Sequence, residues 1–237
     1  MRLIVLPDTS EDAATNMAID ASLLLSLPQD TAVFRHYGWS KPAATFGYTQ
    51  YIDQVRNVFA ENIQLCRRLT GGGIVDHRND WTYALVLHSH LEAAQIPATK
   101  LYATIHQCIQ EALADQSIDT RLAPCPRTCE QAPAKPVTGP DKCFMLPAAN
   151  DVIHPNGIKI AGAAMKRNRE GLLAQGSIDR SALPNDFDFQ GFSTAFSRIL
   201  ADALNLNLSK DYKNLPKDKY IQRERQRFES VAWTHKR

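Results

Sequence analysis

The run Gly71-Gly72-Gly73 constrains this chain more than any other feature. Three consecutive glycines inside a folded domain carry a large conformational cost, and such a run is usually kept where the backbone must take positive φ or lie close against a ligand. An apolar segment, Ile63-Gln64-Leu65-Cys66, leads in and Ile74-Val75 leads out, so the glycines are predicted to form a bend between two strands. Arg67 and Arg68 stand just before the bend and His77 just after it. Backbone N–H groups freed by such a loop, with guanidinium groups alongside, suit a carboxylate, a phosphate or a thioester carbonyl. The bland alternative is a flexible turn with two solvated arginines. The run is not a nucleotide P-loop, because the Gly-Lys-Ser/Thr ending is missing, and it is not a dinucleotide fingerprint. Partners must therefore come from elsewhere in the chain.

At 237 residues and 44% hydrophobic content the chain can bury one large core. The net charge of +2 argues for neither nucleic acid nor a membrane surface, but its distribution is uneven. Residues 210–237 hold nine Lys/Arg against four Asp/Glu. Such a basic tail either docks an acidic partner or is a solvated helix face, and the second is the default. The start, Met1 to Asp8, has too short an apolar run for a secretory signal, and no stretch approaches the roughly 20 apolar residues that cross a bilayer. The expectation is a soluble, cytoplasmic protein. Its five cysteines, an odd number without a framework pattern, are expected as reduced thiols.

Taken in order, residues 1–7 read as a short strand and 12–27 as a one-faced helix stopped by Pro28. Strands are predicted at 31–37, 43–48 and 81–88, a short helix at 54–62 and a longer one at 99–114. Residues 123–147 hold six prolines and three cysteines, too many breaks for a regular element, and a loop this long in a compact domain is either functional or disordered. Beyond it, Asn156-Gly157 marks a hairpin between 151–154 and 158–165. Period 2 places Ile158 and Ile160 on one face, and Lys159 on the other with Ala161 and Ala163. A further strand at 172–178, a helix at 192–204 and a frayed, basic helical remainder complete the pattern.

Three residues invite chemical readings. Cys143 follows Lys142 at the mouth of the proline-rich segment, and a cationic neighbour raises a thiol's thiolate fraction; a half-buried structural thiol is the plainer reading. Lys159 is either an ordinary strand lysine or a fixed charge aimed at an oxyanion or phosphate where small neighbours leave room. His77 is either a satisfied structural group or a proton carrier. Cys125 and Cys129 lack a second ligand pair, which argues against zinc, and no metal site is expected.

Together these stretches resemble the lipoate and octanoate protein ligase/transferase family, relatives of the biotin protein ligases. The resemblance rests on Asn16-Met17-Ala18-Ile19-Asp20, on Trp39-x-x-Pro42 with Phe46-Gly47-x-x-Gln50, and on Arg67-Arg68-x-Thr70-Gly71-Gly72-Gly73-x-Val75-x-His77. It continues through Gly157-x-Lys159-Ile160-x-Gly162-x-Ala164-x-x-Arg167 and Gln175-Gly176-Ser177-Ile178. It covers about residues 12–180, in order, with a weaker echo near the C-terminus. The implied fold is α+β: a mixed, largely antiparallel sheet flanked by helices, like a biotin/lipoate protein ligase catalytic domain. One such domain is expected over residues 1–237, with 183–237 as its helical, basic C-terminal part.

The resemblance implies that the glycine loop and the lysine strand enclose an acyl chain. Cys143 and Lys159 would be catalytic, with Arg68, Thr70, Gly71, Gly72, Gly73, His77, Gly162 and Ala163 binding substrate. Two branches share these motifs. Cysteine-type octanoyltransferases take octanoyl from acyl carrier protein through an enzyme thioester and pass it to a lysine of a lipoyl domain, without a cofactor. Lipoate ligases use ATP and Mg to make an acyl-adenylate. Cys143-Phe144 occupies the transferase nucleophile's place, and Trp81 stands where ligases usually carry asparagine, whereas Gly73 is ligase-like. Transfer of octanoyl, or lipoyl, through Cys143 is the first expectation and ATP-dependent lipoate ligation the second. A non-catalytic acyl- or carrier-binding protein is the third, and no nucleic-acid or membrane partner is expected.

Overall fold

The computed structural model describes residues 1–125, 147–213, 215, 216 and 218–236. Cys129 and Cys143 lie outside the described residues. The strands are β1 (Arg2–Val5), β2 (Thr9–Glu11), β3 (Thr31–Trp39), β4 (Ala43–Phe46), β5 (Gln64–Arg67), β6 (Val75–Asp76), β7 (Asp80–His88), β8 (Arg121–Leu122), β9 (Val152–Ile153), β10 (Lys159–Arg167), β11 (Gly171–Asp179) and β12 (Asn207–Ser209). The helices are α1 (Ala13–Ser26), α2 (Ile52–Arg56), α3 (Glu92–Gln95), α4 (Ala98–Ala114), α5 (Phe189–Ala203), α6 (Asp218–Glu229) and α7 (Val231–Thr234). No helix among the described residues is long and apolar enough to cross a membrane.

A nine-stranded sheet runs β12-β1-β3-β7-β11-β10-β9-β8, with β2 beside β3. β1 lies parallel to β12 and β3, and β2 parallel to β3. From β3 to β8 every neighbour is antiparallel, so the sheet is mixed and largely antiparallel, as expected. Both faces are covered, and strand alternation divides their side chains. Trp81, Tyr83, Leu85 and Leu87 of β7 join the core beneath α4 and α5, while Ala84 and Val86 join the core beneath α1. Phe196 of α5 meets Phe34 and Tyr83 edge-on, with ring centroids 5.3 and 5.4 Å apart. A second sheet, β5-β4-β6, carries the glycine bend between β5 and β6.

The ends of α1 follow from its sequence: Asp12 accepts from the Thr15 N–H at 2.8 Å, satisfying one of the unpaired first-turn amides, and Pro28 stops the helix just past Leu27. The Asn156-Gly157 turn forms as predicted, with Gly157 at φ +91° and the His154 N–H donating to the Ile158 carbonyl at 2.8 Å. The helix expected at 54–62 is shorter and earlier, Ile52–Arg56. The C-terminal remainder is not simply a frayed helix. It adds β12 to the edge of the sheet and lays α6 along α1, with Phe228 2% and Trp233 5% exposed.

The strict period-2 reading of residues 158–165 also fails. The register of β10 against β9 shifts between Lys159 and Ala161, and one irregularity reverses the facing of everything beyond it. Ile158 is 55% exposed while Ile160 and Ala161 are both in the core. Lys159 instead shares its side with Gly162: a Cβ on Gly162 would sit 2.6 Å from both Cε and Nζ of Lys159.

Candidate active site

Between the two sheets lies a slot lined by Met17 and Tyr37, by Thr45, Arg68, Val75 and His77, and by the β10–β11 segments Gly162–Ala164 and Gln175–Ser177. Its free volume is about 30 Å³, room for only about two water-sized spheres. The glycine loop approaches closely because side chains are missing on both sides: a Cβ on Gly47 would lie 2.0 Å from the Gly72 carbonyl oxygen, and Gly72 has φ +87° with Ala164 as its neighbour on the floor. Gly71 has open space where a side chain would be.

Both arginines brace this loop. Arg68 donates through Nη2 to the carbonyls of Gly71 and Gly73 at 2.7 Å each, and through Nη1 to Thr45 Oγ1 at 3.2 Å. Arg67 is buried deeper, donating through Nη1 to the carbonyls of Tyr48 and Gln50 at 2.7 Å each. Its Nε and Nη2 reach the carbonyls of Trp233 and Thr234 at 3.1 and 2.9 Å, so the C-terminal helix helps to hold the loop. Thr70 fixes the other flank, donating to Gln175 Oε1 at 2.8 Å, and Gln175 Nε2 donates to Asp20 Oδ2 at 2.7 Å. Asp20 is buried against Arg35, 2.9 Å away, and accepts from the Tyr37 hydroxyl at 3.1 Å. Burial pushes the Asp20 carboxyl up, against the pull of Arg35. Sequence reasoning marked Asn16, Asp20 and Gln175 as motif positions without a role. In the structure they form the post to which the loop is tied: Asn16 Oδ1 takes Arg35 Nη2 at 2.8 Å.

His77 closes one wall. Its Nδ1 lies 2.7 Å from Asp80 Oδ2 and its Nε2 2.8 Å from Thr45 Oγ1, with Trp39 stacked on the ring at 4.0 Å. Because Thr45 accepts from Arg68, its own proton is available to His77 Nε2, and the Asp80 carboxylate takes the proton on Nδ1. Thr82 and Ser177 also donate to Asp80. All of these contacts to Asp80 fall on Oδ2, and Asp80 Oδ1 is buried without a hydrogen-bond partner among the described residues. Asp80 was not singled out from sequence, and Ser177 stood there only as a motif position, since residues from β7 and β11 become neighbours only through sheet pairing.

Lys159 stands at the slot's edge over Gly162, with Nζ 2.8 Å from the buried carboxylate of Asp151. Ala163 lines the slot, and its N–H donates to the Tyr102 hydroxyl at 3.1 Å. The structure therefore brings Arg68, Thr70, the three glycines, His77, Gly162, Ala163 and Lys159 together. Among the described cysteines, burial pushes the Cys66 and Cys108 thiols up to about 12, holding both as unreactive thiols.

A slot floored by small residues beneath a glycine loop, with a lysine at its edge, sits on the fold of the lipoate protein ligases. The bipartite lipoate protein ligase of Thermoplasma acidophilum, solved as part of a system with its E2 lipoyl domain, superposes with a TM-score of 0.68 at 18% identity, over 99% of this chain and 95% of that one. The chain belongs to the lipoyl protein ligase A/B catalytic domain family, which matches residues 12–215. Curated relatives include the octanoyltransferase LipM of Oceanobacillus iheyensis, 28% identical over 97% of this chain and 74% of that protein. The octanoyltransferase LipM of Halalkalibacterium halodurans is 32% identical over 70% of this chain and 62% of its own length.

Proposed function

We propose that this chain transfers an octanoyl group from acyl carrier protein to a lysine of a lipoyl domain, through a thioester on Cys143. The observation that carries the reading is the placement of Lys159, whose ammonium stands over Gly162, one of the mostly small residues that floor the slot. An acyl carbonyl at that point meets a fixed positive charge, which stabilises an oxyanion more than a neutral carbonyl. The octanoyltransferase relatives support the same reading. Three residues lie between Cys143 and Pro147, so the two Cα atoms are at most about 14 Å apart, and the neighbouring Ala148 N–H donates to Asp151 at 2.6 Å.

In the first step the Cys143 thiolate attacks the thioester carbonyl of the donor. A new S–C bond forms, the donor's S–C bond breaks, and the carrier thiolate leaves and takes up a proton. In the second step the acceptor lysine's amine attacks the acyl-enzyme. The amide N–C bond forms, the Cys143 S–C bond breaks, and the nitrogen gives up its proton. The donor is already activated, so no nucleotide is consumed. His77, tied to Asp80 and Thr45, steadies the loop wall.

The second reading, ATP-dependent lipoate ligation, is favoured by likeness to a lipoate protein ligase over nearly the whole chain and by Gly73. Lys159's ammonium suits an acyl phosphate as well as a thioester carbonyl, so Lys159 would hold the phosphate of an acyl-adenylate. A lipoyl-domain assay separates the two. With octanoyl-carrier protein and no ATP, the domain gains an octanoyl-lysine; modification only from free acid plus ATP overturns the transfer reading.

A further inference from the structure

We infer that Asp151 and Tyr102 are positioning residues for acyl transfer: together they hold the Lys159 ammonium at the slot's edge and couple it to the slot's floor. The inference rests on the reading that Lys159 faces the acyl carbonyl.

The geometry begins with an interrupted strand. β9 spans only Val152–Ile153, so its pairing with β10 ends at Ala161 and the next edge amide, Ala163, has no strand partner on that side. The Tyr102 hydroxyl, projecting from α4, accepts that N–H at 3.1 Å. Tyr102 in turn donates to Oδ1 of Asp151, the residue at the point where β9 stops. Oδ2 of the same carboxylate takes the Ala148 N–H at 2.6 Å and Lys159 Nζ at 2.8 Å. A fully buried carboxylate is stable only when its oxygens are saturated with donors, and here three converge on it from three separate segments. His106, packed edge-on against the Tyr102 ring at 4.1 Å, fixes the phenol from behind. Burial and the Asp151 charge push the Tyr102 phenol well up, so it stays a donor.

The consequence is directional. Lys159 carries a long flexible stem, and a charge aimed at a developing oxyanion is effective only if it is already in place; displacement by about 1 Å costs on the order of 100-fold in rate. The Asp151 carboxylate fixes where the ammonium sits. Tyr102 ties that carboxylate to Ala163, whose backbone is part of the floor on which the acyl chain lies. The lysine and the floor then move as one body, and no proton needs to leave Lys159 for this role.

The test measures single-turnover acyl-enzyme formation from octanoyl-carrier protein with the full chain, alongside KM and thermal unfolding. Tyr102→Phe removes one hydroxyl and keeps the ring. The expected result is a fall of about tenfold in the rate at saturation, with KM within about twofold, and a larger fall, about 100-fold, for Asp151→Asn. A merely structural role predicts lowered thermal stability with an unchanged rate in the folded fraction, and that result overturns the inference. A change confined to KM overturns it too. If Asp151→Asn does not fold, Tyr102→Phe decides alone. Lys159→Ala separates the two levels: if it is inactive while Tyr102→Phe and Asp151→Asn keep the wild-type rate, the positioning role falls and the transfer reading stands. If Lys159→Ala itself keeps the wild-type rate, the reading beneath falls.

Discussion

One buried imidazole sets an acid limit on this fold. His106 has no exposed surface, and burial pulls its pKa down from 6.5 to about 4. The unfolded chain binds that proton near pH 6.5 and the folded chain only near 4, so the folded state loses stability as pH falls through this window, and the loss levels off below it. The total is about 3 kcal/mol. Urea unfolding at pH 7 and pH 4.5 should show wild type losing about 2–3 kcal/mol more than His106→Leu; equal losses would mean that His106 titrates normally. Gly47 offers a second test at this scale. Its missing side chain lets the Gly72 carbonyl approach, and backbone atoms on that side cannot swing away as a flexible side chain can. Gly47→Ala is expected to cost about 1–3 kcal/mol and to slow acyl-enzyme formation, read by denaturation and single-turnover kinetics on one preparation.

At the scale of elements, α7 anchors the glycine loop. Trp233 donates through Nε1 to the Arg67 carbonyl at 2.8 Å, while Arg67 reaches back to the carbonyls of residues 233 and 234. Trp233→Ala should therefore destabilise by about 3–5 kcal/mol and weaken the loop with it. The neighbouring Val231→Ala, 71% exposed, should change stability by less than about 0.5 kcal/mol. Thermal and urea unfolding of the pair check both. Elements with their own local signals were legible: α1 from its apolar spacing and Pro28, β7 from its apolar run, and the β9–β10 hairpin from Asn156-Gly157. The C-terminal part was read as helical and basic, as it is, but its packing was missed because the signal for that is not local. Lys219, Arg223 and Arg227 dominate the pattern of α6, while what fixes its end is Phe228 and Trp233 packing on residues far back in the chain. The β10 irregularity was invisible for a related reason. A register shift is a property of two strands, and nothing between Lys159 and Ala161 announces it.

For the whole molecule, the family motifs foretold the sheet, and most residues that line the slot stand in those motifs, because each motif marks a place where backbone or a small residue must approach something closely. Motifs do not say which side chains answer one another across the sheets. Asp151, Tyr102, Asp80 and Thr45 carry polar contacts of the site yet have no distinctive local spacing, and Arg68, expected to bind substrate, also donates to the carbonyls of Gly71 and Gly73. The account's central claim is that the acyl group passes through a covalent bond to Cys143. Intact-mass measurement after mixing the full chain with octanoyl-carrier protein, without ATP, tests it most directly. The account predicts the addition of one octanoyl group to wild type and none to Cys143→Ala; an unmodified wild-type mass, with lipoyl-domain modification that requires ATP and free acid, would contradict it.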